Sequence, residues 1–273
     1  MRIDRMGLSM FRIESEQGRV LLTDPWISGN PTLVRSFMTP KSLSQIDVLV
    51  VTHGHLDHAP GVPDIKKVHP GAAVVCPYEL GSFFRSQGME HVHQLNMGGT
   101  IVFEGVRITM VSAAHSASYG LDRTYVGSAS GVIITLETGY RVYYAGDTGL
   151  MADMKYVVRN YFKPDLAILP ISGIFTMDCE QAAYAAGELI QARRVIPCHW
   201  FPNPEESPDP KEMAEFWKNM PHITPAVGDR GKEFKSIMDE RYPHIETVVL
   251  ELGEGINIRT TYPERAVLAV GSK

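Results

Sequence analysis

Apolar residues along the chain cluster in short runs that end on polar or turn residues, with segments of helical period between several of them. The densest run, Val48-Leu49-Val50-Val51, predicts a buried strand over 47–52 that stops at His53. Upstream, Met10–Glu14 and Arg19–Thr23 predict a strand pair about the turn Gln17-Gly18. Asp24-Pro25 closes the second of these, because proline cannot extend a central ladder. Residues 26–44, rich in Pro, Ser, Thr and Gly, read as a loop placed to rim a site. Downstream the pattern predicts strands at Ala72–Val75, His91–Leu95, Ile101–Phe103 and Val106–Val111, with a helix over Tyr78–Ser86 ended by Gly88. A hairpin follows, Gly131–Leu136 with Arg141–Ala145.

Met151–Tyr161 then reads as a helix with Met151, Met154, Val158 and Tyr161 on one face, stopped by Lys163-Pro164 before a buried strand at Asp165–Ile171. Asp178-Cys179-Glu180-Gln181 is a capping box for a helix carrying Ala182, Ala186, Leu189 and Ile190 on one stripe. Val195–Cys198 returns to the sheet, and a proline-rich loop over 201–210 leads into a helix with Met213, Phe216, Trp217 and Met220 on one face. Residues 221–231 read as loop, 232–241 as helix and Thr247–Leu250 as a last strand. No solenoid repeat is present.

Composition adds few constraints. The chain has 273 residues, 44% apolar and 21% charged, which is ordinary for a globular protein large enough to bury a sizeable core. A formal net charge of −5 and the lack of a basic run argue against a nucleic-acid partner. No stretch reaches the roughly 18 apolar residues of a membrane span, and the first residues lack the apolar core of a signal peptide. A cytoplasmic protein acting on a small molecule is expected, with no membrane partner and with room for self-association as a homo-oligomer. Cys76, Cys179 and Cys198 are too scattered for a disulfide framework, and buried thiols are the expectation for all three. Cys198 adjoins His199, but neighbouring side chains on a strand face opposite ways.

The chemistry lies at the strand ends. The run at 48–51 delivers His53-Gly54-His55-Leu56-Asp57-His58, a density of imidazole and carboxylate suited to metal ligation. The strand at 106–111 leads to His115, the strand at 141–145 to Gly146-Asp147, and the strand at 195–198 to His199. One zinc-like ion takes about three protein ligands plus water, so the seven candidates His53, His55, Asp57, His58, His115, Asp147 and His199 suit two ions sharing one carboxylate. Asp24 reads in two ways, as a turn residue or as a carboxylate that fixes the tautomer of a ligating imidazole. His69, His91 and His93 have no partner spacing and read as structural or exposed.

These residues resemble the metallo-β-lactamase superfamily, whose motif is H-x-H-x-D-H followed by a distant His, a Gly-Asp and a final His. The chain is most similar to a branch known only as metal-dependent hydrolases, itself related to the ascorbate-phosphate lactonases. The likeness covers most of 1–204 and again roughly 232–255, including Asp24-Pro25, Gly29-Asn30-Pro31, Thr52–His58, Pro77–Leu80, Ala145–Gly149 and Phe175–Met177. It implies an α+β fold, a four-layer αββα sandwich, with the site at one edge between the sheets. It also implies that His53, His55 and His115 hold one ion, that Asp57, His58 and His199 hold a second, and that Asp147 bridges them. Two departures stand out: Gly7-Leu8 occurs where relatives often carry Gly-His, and residues 205–231 look like an insertion in a chain otherwise read as one domain over 1–273. Phe216 and Trp217 of that insertion are expected to form a pocket wall or a dimer contact.

Two divalent ions, zinc by preference with manganese or iron also admissible, would generate hydroxide near neutral pH. Hydrolysis of a small ester or lactone is therefore the expected function, with Asp57 as the catalytic residue that accepts or relays the proton. A small phosphodiester is the alternative substrate, and a non-catalytic metal-binding module the alternative class. Ser116, Tyr119 and Tyr125, just beyond His115, are candidates to stabilise an oxyanion, with exposed loop residues as the plainer reading.

Overall fold

The computed structural model describes residues 1–120, 123–221 and 226–261. Two seven-stranded sheets face each other. The first runs in the order Gly255–Asn257, Arg2–Arg5, Phe11–Glu14, Val20–Thr23, Val48–Val50, Ala73–Pro77, Val92–Leu95. The second runs Glu246–Thr247, Arg194–Cys198, Leu166–Pro170, Arg141–Tyr144, Ser130–Thr135, Val106–Ser112, Thr100–Phe103. In each sheet a parallel block, Val20–Thr23 through Val92–Leu95 in one and Arg141–Tyr144 through Glu246–Thr247 in the other, adjoins antiparallel strands.

Burial on both faces explains why the central strands read as unbroken apolar runs. Val48 and Val50 point into the layer between the sheets, against Ile108, Met110, Val132, Ile134 and Tyr144, while Leu49 and Val51 pack outward beneath Val62, Ile65, Leu80 and Phe84. The second sheet does the same: Val132 and Ile134 face inward, whereas Ile133 packs outward beneath Met154, Val158, Ala182 and Phe234. Helices thus cover both outer faces, Gly61–Val68 and Tyr78–Ser86 on one, and Met154–Phe162, Cys179–Ile190 and Arg230–Arg241 on the other. The result is the expected α+β sandwich of four layers, αββα.

Several local expectations hold. Asp178 caps its helix by accepting from Gln181 N at 2.7 Å while the Gln181 side chain accepts from Asp178 N, completing the capping box. Asp209 caps Pro210–Asn219 by accepting from Glu212 N at 3.0 Å. All three cysteines are buried and unbridged. Among the described residues no helix is long and apolar enough to cross a membrane.

Other expectations are corrected. Met154–Phe162 is a wide helix of π type, so the repeat approaches four residues or more: Met154 and Val158 are buried, Phe162 packs behind them, and Tyr161 points out at 75% exposure. The region 26–44 is not all loop, because Thr39 caps a one-turn helix at Pro40–Leu43. Of the last predicted strand, Thr247–Leu250, only Thr247 lies in the observed strand Glu246–Thr247, and the chain goes on to pair Gly255–Asn257 with Arg2–Arg5. Residues 222–225, within the loop expected at 221–231 and the insertion at 205–231, lie outside the described residues, as do 262–273 of the one-domain reading.

Candidate metal centre

Five strands end at one edge of the sandwich, and each hands a polar side chain to that edge. Val20–Thr23 leads to Asp24, Val48–Val50 to the histidine loop, Val106–Ser112 to His115, Arg141–Tyr144 to Asp147, and Arg194–Cys198 to His199. Bonds between the sheets fix their relative position: Thr52 O accepts from both Ser130 N (3.0 Å) and Ser130 Oγ (2.9 Å). Gly146 sits at φ 60°, and a Cβ there would meet Ser130 O at 2.7 Å and the Thr52 side chain at 2.9 Å, so this close approach requires glycine. His199 also lies in left-handed backbone (φ 61°), and its N–H donates to Leu8 O at 3.1 Å. Leu8 is thus an apolar buttress behind His199, packed with Trp26 and Phe201.

All seven sequence candidates converge. His53, His55 and His115 form one group in which one ring nitrogen from each lies within 4.8 Å of the others; Asp57, His58, Asp147 and His199 form a second by the same measure. In the first, His55 Nδ1 is 3.0 Å from His53 Nε2 and 3.2 Å from His115 Nε2. Burial, with neighbouring imidazoles as the added repulsion, lowers the pKa of all three rings, so they stay neutral with lone pairs available. In the second, Asp147 Oδ2 lies 2.9 Å from His199 Nε2 and 3.4 Å from His58 Nε2, and it is also 3.7 Å from His115 Nε2 in the first group. Asp57 Oδ2 is 3.3 Å from His199 Nε2 and 3.6 Å from His58 Nε2.

Buried polar atoms are normally hydrogen-bonded. His58 Nε2, His199 Nε2 and Asp147 Oδ1 are buried and, among the described residues, find no partner of hydrogen-bond geometry despite the Asp147 Oδ2 approaches just given, and a cation among them would satisfy all three. The residues therefore fit a metal centre. Burial opposes charge on His58 and His199, but the facing Asp147 and Asp57 outweigh it: His58 is raised well above its ordinary value and His199 to about 9. Burial likewise disfavours charge on Asp147, yet His199 and His58 hold its pKa well below the usual range.

Asp24 is more than a turn residue. It is fully buried, accepts from Thr52 N (2.7 Å), Thr52 Oγ1 (2.8 Å) and Tyr144 Oη (2.6 Å), and engages His58 Nδ1 at 2.8 Å. That bond leaves His58 Nε2 as the nitrogen facing the other ligands. Cys198 points into the core between the sheets, where burial pushes its thiol pKa up. His69, His91 and His93 join neither ligand group.

A cleft of about 450 Å³ opens over the two groups. His55, Asp57, His115, Asp147 and His199 form its floor, Phe175, Phe201, Phe216 and Met220 its apolar sides, and Ser116, Ser118, Gly120 and Arg123 one rim. Phe216 thus lines the wall as expected, but Trp217 packs away from it with Leu8 and Trp26. No residue of 26–44 lines the cleft; Trp26 stacks behind Phe216, centroids 5.7 Å apart. Ser116 is on the rim, with Oγ 3.5 Å from His55 Nε2. Tyr119 packs on Phe83 (4.6 Å) and Tyr125 is 71% exposed, so neither lines the cleft. Phe175, Ser118 and Arg123 were not singled out as rim or wall residues by sequence reasoning. Their nearness to the floor comes from tertiary folding, and only the position of Ser118 shortly after His115 hinted at it.

A model of a Beta-lactamase superfamily domain matches residues 19–200. A UPF0173 metal-dependent hydrolase of Methanosphaera stadtmanae is 40% identical over 211 residues, covering 76% of this chain and 87% of that one. A UPF0173 metal-dependent hydrolase of Methanopyrus kandleri is 37% identical over 258 residues, covering 93% and 98%. Among solved structures, a metallo hydrolase of the hyperthermophilic archaeon Ignicoccus hospitalis superposes with a TM-score of 0.73 at 28% identity, covering 94% of this chain and 99% of that one.

Proposed function

Because this chain belongs to the metallo-β-lactamase superfamily and is a metal-dependent hydrolase of its UPF0173 branch, we propose that it hydrolyses a small ester or lactone at a dinuclear centre. The observation that carries this reading is the pair of adjoining ligand groups with Asp147 reaching members of both. His53, His55 and His115 would hold one ion and Asp57, His58 and His199 the other, with Asp147 available to both groups. Zinc is the first candidate, since neutral imidazole with carboxylate suits it, and manganese or iron accept the same set. When bound, the two ions supply hydroxide near neutral pH by lowering the pKa of water toward about 7, and they polarise the scissile carbonyl.

The protein's own groups handle protons and position. Asp57 is half-buried on the cleft floor, so its carboxylate reaches both the second ligand group and the substrate space. It takes the proton of the attacking water as the water oxygen bonds to the carbonyl carbon, and returns it to the alkoxide oxygen as the acyl C–O bond breaks. Asp24 holds His58 in the tautomer that directs Nε2 inward. Phe175, Phe201 and Phe216 exclude water from the sides.

A panel of lactones, aryl esters and bis-aryl phosphodiesters, assayed with and without chelator, tests the reading. Chelator-sensitive turnover of an ester or lactone is expected. Turnover confined to phosphodiesters, or none across the panel, contradicts it.

A further inference from the structure

Arg123 is the one Lys or Arg side chain among the described residues lining the cleft. It is exposed on the rim formed after His115 and, among the described residues, makes no ion pair. Arg2, Arg12, Arg19, Arg35, Arg194 and Arg241 each engage a carboxylate, and Arg5, Arg85, Arg141 and Arg159 bond backbone carbonyls, whereas Arg123 is the cation placed on the cleft. With a net charge of −5 the chain is not generally basic, so a guanidinium on the cleft that makes no ion pair among the described residues is a local feature.

We propose that Arg123 anchors an oxyanion on the substrate, so that the cleft takes a small ester or lactone carrying a carboxylate or phosphate group at the end remote from the scissile bond. This deepens the hydrolytic reading above and rests on it. Charge within the cleft gives the orientation. Two divalent ions on the floor would outweigh the charge of Asp57 and Asp147 and draw the scissile acyl oxygen there, so a second, remote anionic group finds its counter-charge at the rim, in Arg123. Guanidinium recognises both carboxylate and phosphate through two parallel N–H···O bonds, which specifies geometry as well as charge. Phe175, Phe201 and Phe216 line the same cleft, and their apolar surface fits a short apolar linker or ring. The substrate class is thus amphipathic, with an anionic head at Arg123, an apolar body and a scissile acyl oxygen bond over the ligand groups.

Two experiments on the metal-loaded protein test the assignment. In the first, kcat/KM is measured for matched aryl esters whose acyl chain ends in a carboxylate, a phosphate or a neutral amide. The anionic-to-neutral ratio is expected to fall ten- to a hundredfold in Arg123→Gln, mainly through KM, and to shift toward an ammonium-ended ester in Arg123→Glu. An unchanged ratio in both variants overturns the proposal, even where overall activity drops. The better of the carboxylate and phosphate arms identifies the oxyanion. The second does not depend on turnover: linear dicarboxylates of four to eight carbons are titrated against monocarboxylates of equal length. At one or more lengths the dicarboxylate is expected to bind at least tenfold tighter in wild type, with that advantage lost in Arg123→Gln. Equal binding at every length refutes the anchor. Retained dicarboxylate preference without ester hydrolysis refutes the reaction instead.

Discussion

Asp24 shows how much one carboxylate can organise. It receives Thr52 N–H, the Thr52 and Tyr144 hydroxyls and His58 Nδ1, so the end of the histidine-bearing strand, the second sheet and one proposed ligand meet on two oxygens. Asp24→Asn places an amide N–H₂ against these donors. Metal affinity is expected to fall about 10- to 100-fold, by the usual size of such outer-shell effects, with a stability loss of about 2 kcal/mol from hydrogen bonds to a charged acceptor; metal titration and urea unfolding check the two. His58 and His199 carry a second consequence. Metal-free, and against the cost of burial, Asp147 and Asp57 raise both pKa values, His199 to about 9, so His199 carries a proton at neutral pH that it must lose to bind an ion. Apparent affinity should therefore rise with pH from 7 toward 9, by up to about tenfold per pH unit for each proton displaced. Calorimetry in buffers of different ionisation enthalpy should register the released protons. Affinity that is flat or falls over that window contradicts the assignment.

At the scale of elements, the site depends on strand ends held in register across two sheets. Gly146 is the tightest point, pressed between Ser130 O and Thr52 in left-handed backbone. Gly146→Ala combines the clash with the φ penalty and is expected to cost about 2–4 kcal/mol; a midpoint shift in denaturant at constant slope measures it. The strand ends were legible in the sequence because Val48–Val51 and Arg141–Ala145 are apolar on both faces and stop abruptly at ligand-type residues. Arg2–Arg5 was not legible, since R-I-D-R shows little apolar content and its partner Gly255–Asn257 lies at the other end of the chain. The helix Gly61–Val68 is absent from the predicted elements, although Pro60 and Pro63 fall at its cap and first turn, where proline is compatible with a helix. The shift of the exposed face in Met154–Phe162 follows from a repeat wider than 3.6 residues, which a helical wheel does not anticipate. Arg123 was invisible because nothing local marks it; only the folded cleft brings it over the floor.

Over the whole molecule, the sandwich buries its apolar residues in three layers and leaves one edge to polar chemistry. The first sheet supplies Asp24 and the histidine loop, and the second supplies His115, Asp147 and His199, so the proposed centre spans the two sheets. The Pro210–Asn219 helix closes one side by setting Phe216 between Phe201 (5.5 Å) and Trp26 (5.7 Å). The alternation of strands and helices was apparent from periodicity, but the four-layer arrangement followed only from family resemblance. The central claim is that the edge holds two ions sharing Asp147, and metal content per chain tests it most directly. After loading and gel filtration, elemental analysis should find close to two ions in the wild type and clearly fewer in His55→Ala. One ion per chain in the fully loaded wild type would contradict the account.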